Sequence, residues 1–143
     1  METNKIKVEL EFEWEEVFNS TNFDAKEYSR IPKIFLYAWI LKKNDEKYAY
    51  VGESTRGLRD RMKEYPNKIK DEIFKEIFIE SQNKRLLIIY KNINLLINGK
   101  EMKVNLNKEK RRRFIEKIIM NYYASLGYKM LNKEIDESVI NKK

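Results

Sequence analysis

Residues 31–41, Ile-Pro-Lys-Ile-Phe-Leu-Tyr-Ala-Trp-Ile-Leu, constrain the fold of this chain more than any other stretch. From Ile34 to Leu41 every side chain is apolar or aromatic, with no polar residue at alternate positions. A strand with one wet face would alternate, so this run predicts a central strand covered on both faces. "KKNDEK" then turns the chain, and "YAYVG" (Tyr48 to Gly52) brings it back, which predicts a hairpin. If Tyr37 lies opposite residue 50 or 52, the phenols of Tyr37 and Tyr50 share one face of the sheet. A register slip of one residue would separate them. Gly52 ends the returning strand without a side chain, so another group can approach its backbone closely.

The remaining elements arrange themselves around that hairpin. "KIKVELEFEW" alternates Ile6, Val8, Leu10, Phe12 and Trp14 with charges, which predicts a half-buried strand near a sheet edge. Residues 15–30 mix polar and aromatic side chains and accommodate a short helix. Ser54 or Thr55 caps a helix that Pro66 ends, with Leu58 and Met62 turned inward. A second helical pattern covers 67–79. "RLLIIY" (Arg85 to Tyr90) predicts a buried strand, and Asn98-Gly99 predicts a tight hairpin after it. A long helix follows over about 108–126, its expected inward stripe being Ile115, Ile118, Ile119, Tyr122 and Leu126, with Gly127 to end it. The order predicts an α+β fold, a central, mostly antiparallel sheet flanked by helices. Residues 1–30 form an N-terminal strand and helix extension, residues 31–135 the core, and the whole a single compact domain.

Composition narrows the chemistry. The chain has 143 residues, no cysteine and no histidine, which removes disulfides, zinc-finger sites and histidine-based triads. Any metal must therefore sit among oxygen ligands, as Mg²⁺ or a similar hard ion does. The net charge of +7 favours an anionic partner such as nucleic acid. No apolar run approaches the roughly 20 residues that span a bilayer. The N-terminal "METNKIKVEL" lacks the basic-then-apolar order of a signal peptide, so a cytoplasmic protein with no membrane partner is expected.

Several short motifs resemble one known family. "FLY" at Phe35 to Tyr37, "YVG" at Tyr50 to Gly52, Arg61 in the next predicted helix, Glu116 in "RRRFIEKIIMNYY" and Asn132 beyond it look like the GIY-YIG nuclease motif. The likeness runs from Ile34 to Asn132. Two positions depart from it: Phe35 stands where the motif's first glycine would be, and Tyr65 stands where many relatives carry a histidine.

The resemblance implies an endonuclease that hydrolyses DNA phosphodiesters with a divalent cation, Mg²⁺ or Mn²⁺. Glu116 would hold the cation, whose charge stabilises the phosphate and the leaving oxygen. Arg61 would present its guanidinium to a non-bridging phosphate oxygen. Tyr37 would be the general base, with Tyr50 orienting the water; a phenol titrating near 10 needs nearby positive charge for that role. Gly52, Tyr65 and Asn132 would support the site. On a helical wheel Glu116 lies about 100° from Ile115, beside Arg112 and Tyr123, at the edge of the expected buried face.

Arg112 and Arg113, in the basic start "KEKRRR" of the last helix, and Arg56 and Arg59, at the start of the earlier one, are candidate phosphate contacts. Cations there oppose the helix dipole and so serve a ligand better than they serve the helix. A restriction-like or mobile-element nuclease acting as a homodimer is the expected setting. The alternative is a nucleic-acid-binding module that keeps the scaffold without turnover.

Overall fold

A computed structural model describes residues 4–18, 32–57, 69–81 and 84–132. The predicted α+β class is what these residues form. In chain order the elements are β1 (Val8–Phe18), β2 (Phe35–Lys43), β3 (Glu46–Ser54), α1 (Glu72–Glu80), β4 (Leu86–Ile97), β5 (Lys100–Lys103), α2 (Glu109–Ser125) and β6 (Lys129–Met130). The strands make one sheet in the order β1-β4-β2-β3-β6, with β5 paired to the far end of β4.

The unbroken apolar run becomes β2, at the middle of the sheet. Side chains alternate across it. Phe35, Tyr37, Trp39 and Leu41 join Leu87 and Ile89 on one face, where α1 covers them with Phe74, Ile77 and Phe78. Leu36, Ala38 and Ile40 join Ala49, Val51 and Ile88 on the other, under Ile115, Ile119, Met120 and Tyr123 of α2. Two helices on opposite faces explain why β2 needs no polar alternation.

Local chemistry fixes the turns. Asn44 adopts a φ of 58° in the β2–β3 turn, a left-handed conformation that asparagine tolerates better than most residues. Asn98 and Gly99 both have positive φ between β4 and β5, as a type I′ turn requires. Asp71 caps α1 by accepting a hydrogen bond from the Phe74 amide at 2.9 Å.

Several expectations are corrected. The sheet is mixed rather than mostly antiparallel: after Gly127 turns the chain out of α2, β6 runs parallel to β3 through Tyr48–Lys129 and Ala49–Met130. The helix expected over 67–79 spans Glu72–Glu80, starting where Asp71 supplies a cap. The strand β1 is an edge strand, but its apolar side is only partly covered. Leu10 and Phe12 pack on the core, whereas Val8 and Trp14 stay mostly exposed.

The inward stripe of α2 is also rotated. Ile115 and Ile119 are buried and Ile118 partly so, but Tyr122 is 50% and Leu126 56% exposed; Arg112, Glu116, Met120 and Tyr123 turn inward instead. The predicted helix after Ser54 lies outside the described residues. Among the described residues, no helix is long and apolar enough to cross a membrane.

Candidate functional site: a carboxylate pair on β3 and α2

The β2–β3 register places Tyr37 opposite Gly52, one of the two pairings the sequence allowed. Tyr37 and Tyr50 therefore share a face, and the Tyr50 ring stacks on Phe74 of α1 with centroids 4.5 Å apart. The Tyr37 ring crosses directly over Gly52. A Cβ at position 52 would stand 2.5 Å from the phenol oxygen and 2.6 Å from Cζ, so only glycine leaves room. Tyr37 has no exposed surface.

The other face carries the charges. Val51 and Glu53 point away from Tyr37, and Glu53 meets the first turns of α2. The Arg112 Nη2 donates to Glu53 Oε1 at 3.4 Å, and its Nη1 donates to the Leu106 carbonyl at 3.0 Å. The Arg112 Nε lies 3.2 Å from Glu53 Oε2 without the alignment of a hydrogen bond, so that contact is an ion pair only. Arg112 is only 6% exposed. It holds a strand carboxylate and a loop carbonyl, in a position unlike the solvent-facing phosphate contact expected of it.

One turn along, Glu116 is 9% exposed, in the middle of the helix face packed on the sheet rather than at its edge. Burial pushes its carboxyl up to about 7, and the negative charge of Glu53 and a hydrogen bond with it push the same way; Arg113 and Arg112 pull back. A carboxyl group near neutrality against a second carboxylate is an arrangement in which the pair shares a proton or takes a cation. Both donors are hard oxygens, and Mg²⁺ or Mn²⁺ commonly binds through one or two carboxylates with water completing its shell. The donor set fits such an ion. Among the described residues, no group of three or more acidic or other metal-ligating side chains is placed to hold a metal ion.

Asn132 braces the same strand from its edge. Its Oδ1 accepts from the Val51 amide at 3.1 Å, and its Nδ2 donates to the Val51 carbonyl at 2.6 Å. With the Leu131 amide donating to the Ala49 carbonyl at 2.9 Å, the side chain of Asn132 extends the short β6 pairing by one more rung.

The expected site thus divides into two groups. Tyr37, Tyr50 and Gly52 gather on the α1 face, and Glu116, Arg112 and Arg113 gather on the α2 face, with the sheet between them. The reason is parity: odd-numbered residues of β2 face α1, whereas the helix carrying Glu116 packs on the even-numbered ones. Arg113 and Arg56 are exposed. Arg113 pairs with Glu109 at 2.8 Å, and the Arg56 amide donates to Ser54 Oγ at 3.3 Å. Arg59, Arg61 and Tyr65 lie outside the described residues.

Glu53 was not among the expected residues, yet its signal was present. Ala49 and Val51 precede it on the same face of β3, so a glutamate continuing that apolar series must meet whatever covers it. Comparison with known proteins finds no matching family model, no similar curated protein and no similar solved structure.

Proposed function

We propose that this protein is a divalent-cation-dependent endonuclease acting on DNA, on a scaffold resembling the GIY-YIG nucleases. The observation that carries the reading is the carboxyl of Glu116, a residue only 9% exposed, set against Glu53. Such a group costs stability in a helix that any apolar residue would serve better, and perturbed carboxyls of this kind cluster at functional sites.

In this reading Glu116 and Glu53 hold Mg²⁺ or Mn²⁺, which when bound supplies charge to the phosphate and to the departing oxygen. Arg112 fixes Glu53 in place. Arg113, exposed beside Glu116, faces a phosphate oxygen, and Arg61 supplies a second guanidinium by the resemblance. Tyr37 and Gly52 lock β2 against β3, and Asn132 locks the outer side of β3, so that the Glu53 backbone has little freedom.

The second reading is a nucleic-acid-binding module without turnover. It is favoured by one observation: Tyr37, the general base in the resemblance, is wholly enclosed on the face away from Glu116. Nicking of a supercoiled plasmid with Mg²⁺ or Mn²⁺ separates the two. Under the nuclease reading the wild type nicks, and Glu116→Gln binds the plasmid but leaves it intact. Binding without nicking in either ion supports the module.

A further inference from the structure

Helix α2 presents two unlike exposed flanks. Taking Glu116 as origin and about 100° per residue, Arg113 lies near 60°, Lys117 near 100° and Lys110 near 120°. All three are exposed. The opposite flank, from about −80° to −160°, carries Leu126, Tyr122 and Ile118. Lys110, Arg113 and Lys117 therefore cluster on the flank beside Glu116, whereas the other flank carries one exposed cation of the helix, Arg111 near −140°.

We propose that Lys110, Arg113 and Lys117 form a track for the phosphates of a nucleic-acid backbone passing Glu116, and that Arg112 is no part of it. From Lys110 to Lys117 the helix rises about 10 Å, enough to follow about three phosphates at about 3.4 Å of axial rise per strand. Arg113 lies close enough to Glu116 to oppose the upward push on its carboxyl, which ties the track to the carboxylate pair. The one acid on this flank, Glu109, engages Arg113 in an exposed pair at 2.8 Å. Such pairs contribute under about 1 kcal/mol and give way to a phosphate. Lys110, in the first turn, opposes the helix dipole, so helix stability gives no reason for it. Arg112 already satisfies Glu53 and the Leu106 carbonyl from inside the fold.

The inference rests on the nucleic-acid reading and deepens it. Its test is the salt dependence of binding to a short duplex DNA in EDTA, between 50 and 200 mM NaCl. Each phosphate contact contributes a log–log slope of about 0.9, or about 3.5-fold in affinity over that range. Lys110→Met, Arg113→Met and Lys117→Met should each lower the slope by about 0.9, and the triple variant by about 2.7. Lys75→Met, on α1 across the sheet, should leave it unchanged. An unchanged slope in the triple variant, an equal effect of Lys75→Met, or no retention of DNA by the wild type at 50 mM overturns the track. Because EDTA removes cleavage, the two proposals fail separately. A wild type that binds through the track but never nicks overturns only the nuclease; one that nicks while the triple variant keeps its slope overturns only the track.

Discussion

Gly52→Ala tests how tightly β2 and β3 are locked. Gly52 has no positive φ, so the backbone itself accepts alanine and the effect must come from contact alone. The new methyl would meet the Tyr37 oxygen at 2.5 Å, Cζ at 2.6 Å and Cε2 at 3.0 Å, where carbon atoms settle at about 3.5–4.0 Å. The ring must withdraw by about 1 Å, yet Phe35, Trp39 and Phe74 pack in the same buried cluster and α1 closes it from above. Overpacking of this kind costs about 1–3 kcal/mol. In a chain of 143 residues that corresponds to a fall in Tm of about 3–12 °C, followed by circular dichroism. Tyr37→Leu alone leaves a cavity and should also destabilise, but the double variant should lose less than the two single losses together, because each change relieves the other. A Gly52→Ala protein melting within about 1 °C of wild type, or a double variant with strictly additive losses, would refute the packing argument.

The other predictions concern the α2 face. Because the folded carboxyl of Glu116 is raised to about 7, above its unfolded value, it favours folding most below about pH 4.5 and progressively less as pH rises through 7. Glu116→Gln should match wild-type stability near pH 4 and exceed it by about 1–3 kcal/mol near pH 8 in urea titrations; equal stability at both would contradict the burial of the charge. Asn132→Ala leaves the Val51 amide and carbonyl unpaired, which should cost about 1–3 kcal/mol and speed hydrogen exchange at Val51; unaltered exchange there would contradict the clamp. Arg112→Met leaves Glu53 without its counter-ion and should cost about 2 kcal/mol or more. Adding Glu53→Gln should recover part of that loss, and no recovery would mean that Arg112 acts only through packing.

The legible parts of the fold were those where side-chain pattern and local backbone chemistry coincide. The run from Ile34 to Leu41 could be nothing but a covered strand, and Asn98-Gly99 supplied the positive φ of its turn directly. The hairpin left Tyr37 opposite residue 50 or 52, and the structure pairs it with Gly52. The side of the sheet on which the last helix packs did not follow, because it depends on how the chain crosses over between β4 and α2, and no local pattern encodes that choice. From it came the separation of Tyr37 from Glu116. The stripe of α2 misled for a related reason. Its apolar residues cover more of the circumference than the sheet can bury, and the contacts with β3 selected the arc holding Arg112 and Glu116 over the one holding Tyr122 and Leu126. Glu53 was hidden by its neighbourhood in sequence, next to a glycine and a serine that read as a strand end.

The most direct test of the carboxylate pair as a cation site is Mn²⁺ binding followed by electron paramagnetic resonance, in wild type and in Glu116→Gln. The account predicts that the wild type binds one Mn²⁺, which Mg²⁺ displaces, and that Glu116→Gln weakens binding at least tenfold while the far-UV circular dichroism stays unchanged. A wild type that leaves all Mn²⁺ free, or a variant that binds it equally well, would contradict the account.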